Sequence, residues 1–363
     1  MNIVFVLEHF YPYIGGVEKL FYSLSKELVK QGHTVTVITT RFDKSLNSNE
    51  KINEVNVIRL NLRNRYLFTF FGVFFMLKYI KKSDIVHTTT YNAALPAVLS
   101  GWLTGKKVIV TFHEYWGKLW FSLPYLSFIE RIMFSFYEQI ILRLPYKHIV
   151  GVSEYTVGRL KEKLPNKKNI QLIYNGLEYT VEQWKPKTRI SDFSFCYYGR
   201  LGVSKGLDIL LEACVILKQR KVSFDCKIII PKIPQKIYFS VLNSILKKDI
   251  ADVISLYHNL SFENLREELL ISDCVVIPSY TEGFCFSAAE AVAMGIPVIA
   301  SKNGALPEVV SGKHIFFEKN QPSFLADAII KAKNNDWDFC NVKKFELDSQ
   351  ISQYLELYNK YSK

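Results

Sequence analysis

The chain of 363 residues is long for one hydrophobic core and comfortable for two domains. Half of it is hydrophobic (49%), but no charge-free apolar stretch reaches 18 residues, which argues against a membrane-spanning helix. Residues 1–180 carry 23 Lys and Arg against 13 Asp and Glu, so most of the net charge of +12 lies in this half. This imbalance indicates an anionic partner, with a solvated lysine-rich surface as the alternative.

The N-terminal sequence and the cysteines predict a cytoplasmic protein. The segment MNIVFVLEHFYP has neither the basic region nor the small-residue cleavage site of a secretory signal, and it is typical of a first strand. The six cysteines form no Cys-x-x-Cys pair and fall in segments patterned like core strands and helices. We therefore expect reduced thiols and no structural metal.

The first half of the chain reads as repeated βαβ units. NIVFVL is an apolar run of strand length, a helix with one apolar face follows and stops at Gly32, and TVTVITT is the next buried strand. Further strands are predicted at VNVIRL, DIVHTTT, KVIVTFH and KHIVGVS. Such units produce parallel, doubly wound sheets.

A second α/β series follows the polar passage EYTVEQWKPKTRISD. Its predicted strands are FSFCYYG, DCKIII, VISLYH, CVVIPS and PVIAS, and its predicted helices include residues 207–219, 235–248 and 286–294. We predict an α/β protein with two Rossmann-like doubly wound domains that face a central cleft. The domains are expected over residues 1–182 and 183–345, with a C-terminal segment, 346–363, whose helix packs back on the first domain.

The stretch YTEGFCFSAAEAVAMGIPVIAS contains two glutamates in a ligand-binding context. Glu282 lies in the loop after a buried strand, where open α/β sheets bind ligands, and Glu290 lies on the helix that follows. The helix start offers N–H groups to a phosphate, and Gly283 allows close approach to the backbone. Nucleotide-sugars match this arrangement; the alternative is a helix-start acid at Glu282 and a surface acid at Glu290.

The wider sequence resembles the retaining glycosyltransferases of family 4. The Glu-x7-Glu pair resembles the nucleotide-sugar signature of that family, and YYGRLGVSKGLDILLEA resembles its segment with an Arg and a Lys on the donor diphosphate. FYPYIGGVEK, VTFHEYWG and IYNGLE are similar to three further family segments, in family order. The resemblance implies the GT-B fold, with an acceptor-binding first domain and a donor-binding second domain.

The resemblance also implies roles for individual residues of the second domain. Arg200 and Lys205 would neutralise the leaving diphosphate, and Glu290 would hold the ribose. Such cations stabilise developing charge without a metal ion. The transferred sugar would be held by Glu282 and by the backbone of Gly283, Phe284 and Cys285. Cys285 replaces the glycine that is usual in the family, which narrows the space beside the sugar.

In the first domain the resemblance implies roles for three residues. Gly15 and Gly16 would bring backbone N–H groups to the diphosphate, unless they only form a tight turn. His113 would approach the transferred sugar. His87 also ends a strand and is a weaker candidate, and Glu8 is a candidate on the acceptor side.

These features predict transfer of a sugar from a UDP- or GDP-sugar to a glycan or lipid-linked acceptor, in polysaccharide or glycolipid assembly. The expected mechanism is metal-independent front-face displacement with retention, because no protein nucleophile is evident near Glu282. No cofactor, metal or nucleic-acid partner is expected. The alternatives are a nucleotide-sugar epimerase of the same fold and a basic, non-catalytic protein that binds membrane or nucleic acid.

Two aromatic-rich segments, residues 66–77 and 115–147, are flanked by basic residues. This composition is typical of a domain that rests on anionic lipid, so the protein would be peripheral on the cytoplasmic face of a membrane. The alternative is that both segments form core helices of an α/β domain.

Overall fold

A computed structural model describes residues 1–13, 15–62, 64–177, 192–318 and 320–362. The chain forms two compact units. Unit 1 contains Met1–Trp120, Ile129–Gly176 and Glu346–Lys363, and unit 2 contains Phe121–Phe128 and Leu177–Phe345. The expected boundary between residues 182 and 183 lies outside the described residues.

Unit 1 is built on an eight-stranded sheet. Its strands are β1 (Asn2–Val6), β2 (Thr34–Thr40), β3 (Asn49–Ile52), β4 (Val55–Leu60), β5 (Ile85–Thr89), β6 (Val108–Phe112), β7 (His148–Gly151) and β8 (Ile170–Leu172). Their order is β3-β4-β2-β1-β5-β6-β7-β8, and all neighbours are parallel except β3 and β4. The helices are α1 (Gly16–Lys30), α2 (Arg65–Ile80), α3 (Ala94–Thr104), α4 (Phe128–Arg143) and α5 (Glu154–Lys163).

Unit 2 is built on a seven-stranded sheet. Its strands are β9 (Phe193–Tyr198), β10 (Phe224–Ile229), β11 (Ile254–Tyr257), β12 (Cys274–Ile277), β13 (Val298–Ser301), β14 (Gly312–Phe317) and β15 (Asp338–Cys340). Their order is β11-β10-β9-β12-β13-β14-β15, with only the β14–β15 pair antiparallel. The helices are α6 (Leu207–Gln219), α7 (Gln235–Lys247), α8 (Phe262–Leu270), α9 (Phe286–Ala293), α10 (Leu306–Val309) and α11 (Pro322–Lys333).

The prediction of two Rossmann-like doubly wound domains is confirmed. The central strands β1, β5, β6 and β9 are almost entirely buried, as continuous apolar runs require when helices cover both faces of a parallel sheet. One strand is new: β3 has half-exposed, polar residues and gives no apolar signal. It forms a hairpin with β4 through Asn53 and Glu54, which both have positive φ.

The C-terminal helix, α12 (Leu347–Tyr361), belongs to unit 1. It begins three residues before Gln350, the start that the sequence predicts. Its Tyr358 hydroxyl lies 2.7 Å from His87 Nδ1, and its Tyr354 hydroxyl lies 2.9 Å from Thr111 Oγ1. His87 Nε2 lies 2.8 Å from the same Thr111 Oγ1, so the imidazole is enclosed between β6 and α12.

His87 therefore has a structural position. Its side chain is fully buried, and this burial, with a smaller contribution from the charge of His113, lowers its pKa to about 3. A neutral imidazole with both ring nitrogens engaged joins the sheet to the C-terminal helix. The interpretation of His87 as a weaker site candidate finds no support in this environment.

The topology of each sheet defines a switch point, where ligands bind in open α/β folds. In unit 2 it lies at β9, which has β10 on one side and β12 on the other. In unit 1 it lies at β1, between β2 and β5. The loops that follow these strands contain most of the candidate residues.

Candidate active site

Lys205 and Glu282 form an ion pair at the switch point of unit 2. Lys205 follows β9, Glu282 follows β12, and the ammonium donates to both carboxylate oxygens at 2.9 Å. The Ser279 hydroxyl also donates to Oε1, at 2.6 Å. Since the Glu282 side chain is 5% exposed and that of Lys205 is 27% exposed, the cation is the accessible partner of the pair.

Two glycines bring the backbone of these loops together. Gly206 has φ +68° and precedes α6; a Cβ there would lie 1.9 Å from the Pro278 carbonyl oxygen. Gly304 has φ +60°, and its Cβ would lie 2.4 Å from the Glu282 carbonyl oxygen, which accepts a hydrogen bond from Ala305 N–H. Only glycine combines this conformation with this close approach, so both positions determine where Glu282 lies.

Glu290 lies on α9, half-buried, beside Tyr198 at the end of β9. The Tyr198 hydroxyl lies 3.3 Å from Glu290 Oε2 and donates to the Ser287 carbonyl oxygen at 2.8 Å. Burial, reinforced by the negative charge of Glu290, raises the pKa of Tyr198 well above its usual value. Tyr198 therefore remains a hydrogen-bond donor, a role that the sequence did not identify because it depends on a contact between distant segments.

The segment between the glutamates is buried. Phe284 packs edge-on against Phe345, with ring centroids 5.0 Å apart. Cys285 has φ +76°, an uncommon conformation for a residue with a side chain, and its thiol lies 3.3 Å from Ser287 Oγ. Burial and the nearby Glu282 carboxylate raise the pKa of this thiol to about 12. Cys285 is thus a neutral filler of space and not a thiolate nucleophile.

Arg200 lies apart from the buried pair. It follows Gly199 on the loop between β9 and α6, and its side chain is exposed. The structure thus brings Lys205 and Glu282 into direct contact and places Arg200 on the same loop as Lys205, at the surface.

In unit 1 the two candidate glycines occupy the start of α1. Gly15 is the N-cap with φ −172°, an extended conformation open to any residue, and Gly16 is the first helical residue. The alternative of a tight turn with positive φ is therefore wrong for Gly15. What glycine provides here is the lack of a side chain at a helix start that presents N–H groups.

His113 follows β6 in unit 1, in a loop that a buried acid holds. Glu138 of α4 accepts hydrogen bonds from the N–H groups of Trp116 and Gly117, at 2.8 and 2.7 Å. Its burial raises its pKa, and these two hydrogen bonds offset part of that shift. The sequence analysis missed Glu138; its signal is an acid on the same helical face as the buried Ile141.

Glu8 lies at the switch point of unit 1 among three polar side chains. Asn92 donates to its Oε2 at 2.8 Å, Arg65 Nε lies 3.0 Å from its Oε1, and His9 Nε2 lies 3.4 Å from the same oxygen. Burial alone would raise the pKa of Glu8, but these partners together hold it below the usual value. The carboxylate is therefore ionised at neutral pH.

Within the part of the chain that the structure describes, no three His, Cys, Asp or Glu side chains lie close enough to hold a metal ion. The Asp-x-Asp sequence at Asp336 and Asp338 ends in the exposed edge strand β15, where Asp338 pairs with His314.

Two family models match the chain in tandem. Glycosyltransferase Family 4 matches residues 14–180, and Glycosyl transferases group 1 matches residues 180–354. The chain is 25% identical to the phosphatidylinositol N-acetylglucosaminyltransferase gpi3 subunit of Schizosaccharomyces pombe, over 89% of this chain and 71% of that protein. It is also 25% identical to one subunit of the transferase of the same name from Homo sapiens, over 91% of this chain and 68% of that protein.

Solved structures share the fold. Sucrose-phosphate synthase from Thermosynechococcus elongatus has a TM-score of 0.80 at 19% identity, over 99% of this chain and 98% of that one. The Anabaena protein HepE, solved in complex with UDP-glucose, has a TM-score of 0.76 at 15% identity, over 99% of this chain and all of that one (100%).

Proposed function

Because the chain belongs to glycosyltransferase family 4 and is a glycosyltransferase, we propose that it transfers a sugar, with retention, from a nucleotide-diphosphate sugar to a lipid-linked acceptor or glycan. The observation that carries this proposal is the Lys205–Glu282 ion pair at the switch point of unit 2. An accessible ammonium above a buried carboxylate is suited to receive an anion, because the carboxylate keeps the ammonium in place and charged.

The donor diphosphate binds at Lys205. When its oxygens approach, the ammonium has donors for both Glu282 and a phosphate, since an ammonium carries three N–H groups. The exposed Arg200 guanidinium, five residues earlier on the same loop, closes on the other side of the diphosphate and forms bidentate hydrogen bonds. Two cations take the role that a divalent metal has in other transferases, so donor binding requires no metal.

The two ends of the donor bind the two glutamates. Glu290 accepts hydrogen bonds from the ribose hydroxyls, with Tyr198 as its neighbouring donor. The transferred sugar lies against Glu282 and the backbone of Gly283, and the Cys285 side chain limits the space there. His113 of unit 1 contacts the same sugar, and Gly15 and Gly16 offer N–H groups to the diphosphate.

Retention follows from front-face displacement. The bond from the anomeric carbon to the diphosphate oxygen breaks, the acceptor oxygen bonds to the same face, and the acceptor proton passes to the departing diphosphate. Glu282 is a poor nucleophile for the alternative double displacement, because Lys205 occupies both its oxygens and Ser279 donates to one of them. The Cys285 thiol is neutral.

The acceptor is a lipid with a hydroxylated head, used at the cytoplasmic face of a membrane. The named relatives from Schizosaccharomyces pombe and Homo sapiens are phosphatidylinositol N-acetylglucosaminyltransferase subunits, which supports this class of acceptor. The described helices include none that combines the length and hydropathy of a membrane span. We therefore propose peripheral association.

The test is a thermal-shift screen against UDP-, GDP- and ADP-sugars in the presence of EDTA. We expect one or two donors to raise the melting temperature of the unmodified protein, and Lys205→Ala and Glu290→Ala to abolish this rise. Lys302→Ala, which removes an exposed ion pair with Glu318 in the same unit, is the control and should respond normally. A rise that needs a divalent metal, or equal responses from all variants, would contradict the proposal.

A further inference from the structure

Helix α2 exposes a row of phenylalanines. Phe70, Phe71, Phe74 and Phe75 recur at three- and four-residue intervals, and Phe74 is 72% exposed. The opposite side of the helix, which includes Phe68, Thr69, Gly72, Val73 and Met76, is buried in unit 1. A helix of a water-soluble domain places its apolar stripe inward and polar residues outward, so this second, outward apolar stripe has no role in the core.

Helices α3 and α4 continue the same feature. Trp102 of α3 is 75% exposed, beside the exposed Leu103. On α4 the exposed apolar residues follow a helical stripe: Ile129, Ile132, Met133, Phe136 and Ile140. The buried residues of α4 are Glu138, Ile141 and Leu142, so α4 is not the core helix that one interpretation of its sequence predicted.

The three helices adjoin one another. At Gly72, α2 lies against α3, where an added Cβ would be 3.6 Å from Pro96 Cβ. Tyr137 of α4 is hydrogen-bonded to Thr69 of α2, and its hydroxyl lies 3.3 Å from the Tyr91 carbonyl oxygen, just before α3. We call the exposed apolar side chains of α2, α3 and α4 together the apolar face.

Basic residues surround the apolar face. Residues 61–147, which include all three helices, contain 11 Lys and Arg against 4 Asp and Glu, and one of those acids is the buried Glu138. Lys81 and Lys82 follow α2, Lys107 follows α3, and Arg143 ends α4, all exposed. Aromatic residues with a basic border match a surface of apolar chains beneath anionic headgroups.

We propose that unit 1 lies on an anionic phospholipid bilayer through the apolar face. Phe70, Phe74, Trp102 and Phe136 enter the boundary between headgroups and acyl chains, and the surrounding lysines and arginines contact the phosphates. This proposal deepens the proposed function, on which it rests, by assigning its membrane contact to particular side chains.

The apolar face also adjoins the polar cluster around Glu8. Arg65 is the first residue of α2, and its guanidinium pairs with Glu8 at the switch point of unit 1. One helical turn further, Phe70 begins the exposed row. A lipid-linked acceptor can therefore reach Glu8 and Arg65 with its hydroxylated head while its acyl chains remain in the bilayer.

The experiment is vesicle flotation of the full chain, with vesicles of phosphatidylcholine alone and of phosphatidylcholine with phosphatidylglycerol. We expect flotation with the anionic vesicles, reduced by high salt, and about tenfold weaker binding in Phe70→Ser/Phe74→Ser and in Trp102→Ser. Phe239→Ser/Leu246→Ser, which changes two exposed apolar residues of α7 in unit 2, is the matched control and should float normally.

Two further readouts make the result decisive. Circular dichroism melting curves verify that each variant is folded, and the rise in melting temperature with donor should be unchanged in all of them, so a failure of donor binding is distinguishable from a failure here. The proposal is overturned if the unmodified protein floats with neither vesicle, or if the α2 and α3 variants float as well as the control. It is also overturned if light scattering shows a dimer that these variants dissociate, since a second copy would then cover the face.

Discussion

The two switch points use the same device in different surroundings. Each has a buried carboxylate paired with a more exposed cation: Glu282 with Lys205 in unit 2, and Glu8 with Arg65 in unit 1. In unit 2 the pair lies between loops that glycines allow to touch, so the backbone shapes the pocket. In unit 1 the cation comes from a helix whose outer side is apolar. The difference indicates a closed site for a polar donor and an open one for an acceptor that is partly lipid.

The largest expected effect follows from removal of the cation in unit 2. Lys205→Ala should lower kcat/KM for sugar transfer by about 10²–10³-fold, because charge on the departing diphosphate loses its main partner. Lys205→Arg should recover part of the rate. Steady-state assays with saturating acceptor give the measurement, and Lys302→Ala is the control; a Lys205→Ala enzyme within about threefold of the unmodified rate would exclude the assigned role.

The glycines of unit 2 provide the next test, of the claim that the backbone shapes the donor site. Gly304→Ala should lower the free energy of unfolding by about 1–3 kcal/mol and weaken donor binding, because its Cβ meets the Glu282 carbonyl oxygen. Gly295 also has positive φ (+74°) but nothing lies within 4 Å of its added Cβ.

Gly295→Ala is therefore the matched control for strain alone. It should cost about 1 kcal/mol and leave donor binding unchanged. Urea unfolding and donor titration of both variants give the comparison, and equal losses of donor affinity would mean that the contact with Glu282 is irrelevant.

In unit 1 the neutral His87 predicts sensitivity to acid. Its pKa is about 3 in the folded chain against 6.5 for the free side chain, so the unfolded state binds more protons between these values and stability falls as pH decreases through that window. The expected loss is about 1.4 kcal/mol per pH unit below 6.5. Melting temperatures between pH 7 and pH 5 should fall less steeply in His87→Asn, and parallel slopes would contradict this assignment.

The smallest effect is expected from the acceptor side. Glu8→Gln keeps the shape but removes the charge, and should raise the KM for the acceptor about fivefold while the donor-induced rise in melting temperature stays the same. Glu54→Gln, an exposed acid of the β3–β4 hairpin, is the control. A change in donor response with an unchanged acceptor KM would place Glu8 on the wrong side of the reaction.

Much of the fold was predictable, because it rests on local patterns. Apolar runs identified the buried central strands, and helix α6 begins and ends as the sequence predicts. Strand β3 was missed because an exposed polar edge strand has no apolar signal. For α2, apolar residues on nearly every side leave little periodicity, so the sequence could not say which phenylalanines face the core.

The candidate site was predictable only as separate motifs. The sequence singles out Lys205 and Glu282, but their direct pairing joins residues 77 positions apart and depends on how β9 and β12 lie in the sheet. Tyr198 and Glu138 were missed for the same reason, since their roles arise from tertiary contacts. His87 shows the converse: a histidine at a strand end resembles a site residue until α12 is seen to enclose it.

The most direct measurement is a crystal structure of the protein with a bound, non-hydrolysable nucleotide-sugar in the presence of EDTA. We expect a phosphate oxygen about 3 Å from Lys205 Nζ, the Arg200 guanidinium turned onto the diphosphate, and ribose hydroxyls on Glu290. A donor bound away from Lys205, or one whose diphosphate is held only when a metal ion is supplied, would contradict the central claim.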